Sequence, residues 1–91
     1  MVVKSQEIKK LQSEDDIMHV RASVKRVVSL LNYSLVNQTK VVTAASELAR
    51  NIIEHGKGGE AIIQIVNEHD RTGIRMIYAD TGPGIPDIEK A

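Results

Sequence analysis

Apolar residues recur in two rhythms along this chain, and the change of rhythm divides it. Ile17, Val20, Val24, Val27, Val28 and Leu31 follow one another at steps of 3, 4, 3, 1 and 3. That is a single stripe on a 3.6-residue period, with His19, Arg21, Lys25 and Arg26 on the opposite side, so it predicts a helix over 17–31. Ser13-Glu14-Asp15-Asp16 precedes it and supplies cap side chains and negative charge at the helix start. After the break at Asn32-Tyr33-Ser34, with Asn37 as a candidate N-cap, a second stripe of Val41, Ala45, Leu48 and Ile52 predicts a helix from about 38 to 55. Val42, Ala49 and Ile53 lie beside that stripe. Gly56-Lys57-Gly58-Gly59 ends it, with a glycine placed to serve as C′.

The rhythm then changes. Residues 60–67 and 73–80 are rich in Ile and Val and are separated by the polar run Glu68-His69-Asp70-Arg71-Thr72. Two such runs predict strands joined as an antiparallel hairpin across a five-residue turn. Ile8 and Leu11 support only a short edge strand near 6–11, and Thr81-Gly82-Pro83-Gly84-Ile85-Pro86-Asp87 reads as a loop. Strand, two helices, then two strands predicts helices layered on one face of an antiparallel sheet, an α/β arrangement of the two-layer α+β sandwich type.

Composition narrows the partners. Twelve Lys+Arg balance twelve Asp+Glu, which argues against a nucleic-acid surface. Cysteine is absent, so no disulfide or thiol chemistry is available. No apolar run reaches the roughly 20 residues of a membrane span and no signal-peptide core is visible, so the expected location is the cytoplasm with no membrane partner. With no Phe, no Trp and two Tyr, the core is expected to consist of Val, Ile, Leu, Ala and Met, and to be thin for a chain of 91 residues.

Two stretches carry candidate chemistry. Glu47 and Asn51 lie four residues apart on the second helix, on a polar face extended by Thr43 and Glu54. Alone, that face is an ordinary solvated surface, although Asn inside a helix is mildly unfavourable because its amide competes for backbone hydrogen bonds. The second stretch is Asp80-Thr81-Gly82-Pro83-Gly84-Ile85. It places an acid at a strand end, followed by two glycines that leave room for a ligand beside the backbone. An incidental acid before a Gly/Pro turn gives the same pattern.

Taken together, Glu47-Leu48-Ala49-Arg50-Asn51 and Asp80-Thr81-Gly82-Pro83-Gly84-Ile85 resemble the N box and first glycine box of the GHKL (Bergerat-fold) ATPases. Within them the chain looks most like the anti-sigma-factor serine/threonine kinases and the switch kinases of stressosomes. The resemblance covers residues 6–91 and implies a single ATP-binding domain of Bergerat type over 1–91. It implies ATP and Mg²⁺ as cofactors, with Asn51 coordinating the metal and Glu47 as general base. Asp80 would accept from the adenine amino group, while Gly82, Gly84 and Ile85 would line the nucleotide. Arg50 and His55 stand beside this face, with a place near phosphate or metal as the lesser reading for both; His55 reads first as a helix C-terminal cation, and His19 and His69 as surface residues.

The implied activity is ATP-dependent serine phosphorylation of a STAS-domain antagonist in a partner-switching pathway, with a phosphatase and stressosome components as further partners. A non-catalytic binding module, or a fragment with little nucleotide turnover, is the competing reading. The dimerising half of a histidine-kinase-like ATPase is a weaker one, because no phospho-acceptor His helix is seen. The family pattern continues past the first glycine box with a lid, a second box of GLGL type and further strands. None of these is visible here, so the sequence is expected to be truncated, and its unfinished core to be completed by a homo-oligomer.

Overall fold

The computed structural model describes residues 1–55, 58–80 and 87–90, with the side chains of Asp80 and of 87–90 left aside. The element order is β1 (Val2–Leu11), α1 (Glu14–Leu30), α2 (Leu35–His55), β2 (Gly59–Glu68), β3 (Arg71–Asp80) and β4 (Asp87–Lys90). The strands form one sheet in the order β1-β2-β3-β4, every neighbouring pair antiparallel. Both helices pack on one face of it. The expected layering is therefore present, as an α+β fold.

Both helical stripes turn toward the core, except that Leu31, just past α1, and Leu48 are only half-buried, while Ala49, expected beside the second stripe, is fully buried. Ile17, Val20, Val24, Val27 and Val28 of α1 meet Val41, Ala45, Ala49 and Ile52 of α2 in one core. From the sheet, Leu11, Ala61, Ile63, Ile74, Met76 and Tyr78 complete it. Strand alternation assigns Ile8, Ile62 and Ile77, which stand opposite one another across β1, β2 and β3, to the other face. The expectation of a purely aliphatic core fails at one residue. Tyr78 is fully buried and is among the largest buried side chains.

Within the sheet, three boundaries differ from those the sequence predicts. The β2–β3 connection is a two-residue turn, not five, because His69 and Asp70 both take positive φ (53° and 63°). Two successive left-handed residues form the type I′ geometry that matches strand twist, so pairing extends to Glu68↔Arg71. Strand β1 begins at Val2 rather than near residue 6, with an irregularity between Val3 and Ser5, and it forms one edge of the sheet. A further strand does follow the glycine box: Asp87, expected in a loop, opens β4 and pairs with Ile77.

Helix ends are fixed locally. The Asp16 carboxylate, buried in the first turn of α1, accepts hydrogen bonds from the backbone N–H groups of Gln12 (2.8 Å) and Ser13 (3.1 Å). Helix α2 starts three residues earlier than expected because Ser34, not Asn37, caps it: Ser34 Oγ accepts from the Asn37 N–H at 3.1 Å. Past its end, Gly58 has φ +91°, and a Cβ there would stand 2.8 Å from the Leu11 carbonyl oxygen. Glycine is needed at that position for both reasons. Gly56, the other candidate C′ residue, lies outside the described residues.

Two outcomes are expected. The bond from Gln12, followed by that from Ser13, holds the Asp16 carboxyl below its usual value of 3.8. A depressed native value means that its contribution is complete above the unfolded value and is lost as pH falls through the native one. Asp16→Asn should therefore lower the urea midpoint at neutral pH and leave it nearly unchanged in strong acid. Tyr78→Phe deletes a buried bond to the Ala45 carbonyl and should cost about 1–2 kcal/mol in urea unfolding, with the far-ultraviolet spectrum preserved.

Candidate functional site

Helix α2 carries the first half of the candidate site. Its buried stripe leaves Thr43, Glu47, Asn51 and Glu54 exposed along the other side of a 21-residue helix. The Glu47 and Asn51 side chains, one turn apart, have no hydrogen-bond or ion-pair partner among the described residues. A carboxylate and an amide held on a rigid helix, neither engaged in the fold, leave their oxygens available to a ligand. Arg50 is exposed beside them, and His55 ends the last turn, where a cation is favoured.

Two tyrosines set how this helix lies on the sheet. Tyr33, just before α2, accepts a hydrogen bond on Oη from the Ile74 N–H at 3.3 Å. Tyr78 donates from Oη to the Ala45 carbonyl at 3.0 Å. The start of α2 is thus fixed near Ile74 and its middle near Tyr78, so helix and strand β3 run in the same sense. The half of α2 beyond Ala45, with Glu47 and Asn51, extends toward the end of β3 that finishes at Asp80. Burial drives the Tyr78 phenol well above the ordinary tyrosine range, so it stays a neutral donor at any pH the protein meets.

At that end the backbone of Asp80 pairs with Gly59, the first residue of β2. The Asp80 side chain and residues 81–86, including Gly82, Gly84 and Ile85, lie outside the described residues. Among the described residues no group of three or more His, Asp or Glu is placed to hold a metal ion. Asn51 offers a single hard oxygen donor, which suits Mg²⁺: that ion usually takes one or two protein ligands and completes its shell with phosphate and water. His19 and His69 are surface residues as expected, 3.8 Å from Asp16 and 3.9 Å from Glu68.

One feature of the helical layer is absent from the sequence reading. A groove of about 280 Å³ runs between α1 and the first half of α2, lined by Arg21 and Lys25 on one side and Leu35, Thr39, Val42 and Thr43 on the other. Its sequence signal is the pairing of Arg21 with Lys25 and of Thr39 with Thr43 at i,i+4 spacing, which reads as ordinary solvated surface until the helices are placed side by side.

The chain is 38% identical over 81 residues to serine/threonine-protein kinase RsbT of Bacillus subtilis (strain 168), a match covering 89% of this chain and 61% of that protein. It is 36% identical over 73 residues to an anti-sigma F factor of Clostridium novyi (strain NT), covering 78% of this chain and 51% of the other. The chain is close to the anti-sigma-factor kinases. It spans less than two thirds of the length of either relative. No family profile matches it, and no solved structure matches it significantly. Among the described residues no helix is long and apolar enough to cross a membrane.

Proposed function

We propose that this protein is a partner-switching serine/threonine kinase that uses ATP and Mg²⁺ to phosphorylate a STAS-domain protein in the cytoplasm, on a nucleotide-binding domain of the Bergerat type. The observation that carries the reading is the exposed, unpartnered Glu47–Asn51 pair on a helix directed along β3 toward Asp80. Its similarity to two proteins named as a kinase and an anti-sigma factor supports it.

ATP and Mg²⁺, when bound, supply the phosphoryl group and neutralise its charge. Asn51 would hold the metal through its amide oxygen, and Asp80 would accept from the adenine amino group. Gly82 and Gly84 would leave room for the nucleotide, with Ile85 packed against it. Glu47 takes the proton of the substrate serine hydroxyl as the serine oxygen bonds to the γ-phosphorus and the bond to the departing ADP breaks. The chain's task is then chiefly positioning, which suits residues mounted on a helix pinned at its start and middle. Self-association belongs to the same proposal, because Ile8 is 56% exposed on the sheet face away from the helices, opposite half-buried Ile62.

The test is a pair of measurements on the same variants. MgATP at 100 times its dissociation constant should stabilise the protein by ~2.7 kcal/mol, read as a thermal shift. Asp80→Asn should weaken that shift. Glu47→Gln should keep it while slowing phosphate transfer to a STAS-domain protein by roughly 10²–10⁴-fold. Binding without transfer in the unaltered protein would favour the non-catalytic binding module, and no shift at all would remove the nucleotide reading.

A further inference from the structure

The groove between α1 and α2 is not accounted for by nucleotide chemistry. Arg21 and Lys25 line one wall of it, four residues apart, and neither has an acidic partner among the described residues. Their neighbour Arg26 differs, because it is paired with Glu7 on β1. No acidic residue lines the groove, and the first turn of α2, which opens into it at Leu35, carries none either. The positive end of the α2 dipole therefore adds to the two cations.

Of the neutral polar groups lining the groove, Thr39 and Gln38 are already engaged, while the Thr43 hydroxyl has no partner among the described residues. Thr39 Oγ1 donates to the Leu35 carbonyl at 3.0 Å, and the Gln38 amide donates to the Tyr33 carbonyl at 2.8 Å. What the groove offers a ligand is thus two uncompensated cations, the Thr43 hydroxyl and an apolar side chain at its mouth, Leu35, which is 80% exposed. Aromatic side chains, which would stack nucleic-acid bases, do not line it. The complementary occupant is an acidic peptide segment carrying an apolar side chain.

Position gives the groove its use. It ends at Thr43, and Glu47 follows one helical turn later, about 6 Å along the axis. We propose that the α1–α2 groove is the docking track for an acidic, leucine-bearing segment of the protein substrate, held by Arg21 and Lys25 and anchored at Leu35, which delivers the adjoining hydroxyl to Glu47. This rests on the kinase reading for its purpose. The binding event itself does not need nucleotide, so the two can fail separately.

The experiment is fluorescence anisotropy of the nucleotide-free protein with a short labelled peptide that carries glutamates at i and i+4 around a leucine. The unaltered protein should bind it, with affinity falling as salt rises. Arg21→Glu with Lys25→Glu should weaken binding at least about tenfold, and the neutral pair Arg21→Gln with Lys25→Gln should give a smaller loss in the same direction. Circular dichroism checks that each variant is folded. Glu47→Gln and Asn51→Ala should leave peptide affinity within about twofold. The proposal is overturned if the charge reversal changes nothing, or if Lys9→Glu with Lys10→Glu on β1 weakens binding equally. Tighter binding of a single-stranded oligonucleotide or of phosphatidylserine vesicles than of the peptide would overturn it as well. A missing ATP-dependent thermal shift together with intact peptide binding would remove the kinase reading and leave the groove as a peptide site.

Discussion

The hydrogen bond from Tyr78 to the Ala45 carbonyl is the constraint on which the arrangement of this protein depends. It joins the middle of α2 to the last third of β3 inside the core, where a phenol without a partner would be costly. Ala45 makes it geometrically possible: a residue with no side chain beyond Cβ lets the helix backbone come within reach of the phenol. With Tyr33 holding the start of α2 to the Ile74 N–H, two points fix the direction of a long helix on the sheet. Everything exposed on that helix, from the groove at Leu35 to Asn51, is placed by those two contacts.

The same pair of tyrosines shows where sequence reasoning reaches and where it stops. Helical stripes were legible because Ile17, Val20, Val24, Val27 and Val28 repeat a period that only one local structure can bury on one side. The β2–β3 pair was legible for the same reason. Its turn was not, because Glu68 and Arg71 look like loop residues. They extend the hairpin past the core, so their polarity reports exposure rather than irregular backbone. Most of β1 is exposed, which left no alternation to read in its first half. Tyr78 looked like one more member of a β-prone run, since its role comes from a residue 33 positions earlier that no local pattern identifies.

The candidate site divides in the same way. That Glu47 and Asn51 share an exposed helix face was legible because their spacing on a helix is a local property. Their orientation relative to Asp80 is not local, and it follows only once α2 is seen to run with β3. The groove left only an ambiguous i,i+4 spacing in the sequence, since Arg21 and Lys25 gain their meaning from Leu35, Thr39 and Thr43 across a helix–helix contact.

Local stability alone would not select this surface of α2. Asn is a poor helix former, and an exposed leucine at the first position of a helix buries nothing. Each costs little, but both depart from the apolar pattern of the buried side of the same helix at Val41, Ala45, Ala49 and Ile52, where buried Ser46 donates its hydroxyl to the Val42 carbonyl at 2.8 Å. Local violations confined to one face of an otherwise consistent element are expected where that face meets a ligand or partner. The rigid core below then has a second consequence. Because α2 is held at Tyr33 and at Tyr78, a segment seated near Leu35 and a hydroxyl presented at Glu47, as proposed above, would share one inflexible ruler. The separation between them is set by the rise of the helix rather than by any loop.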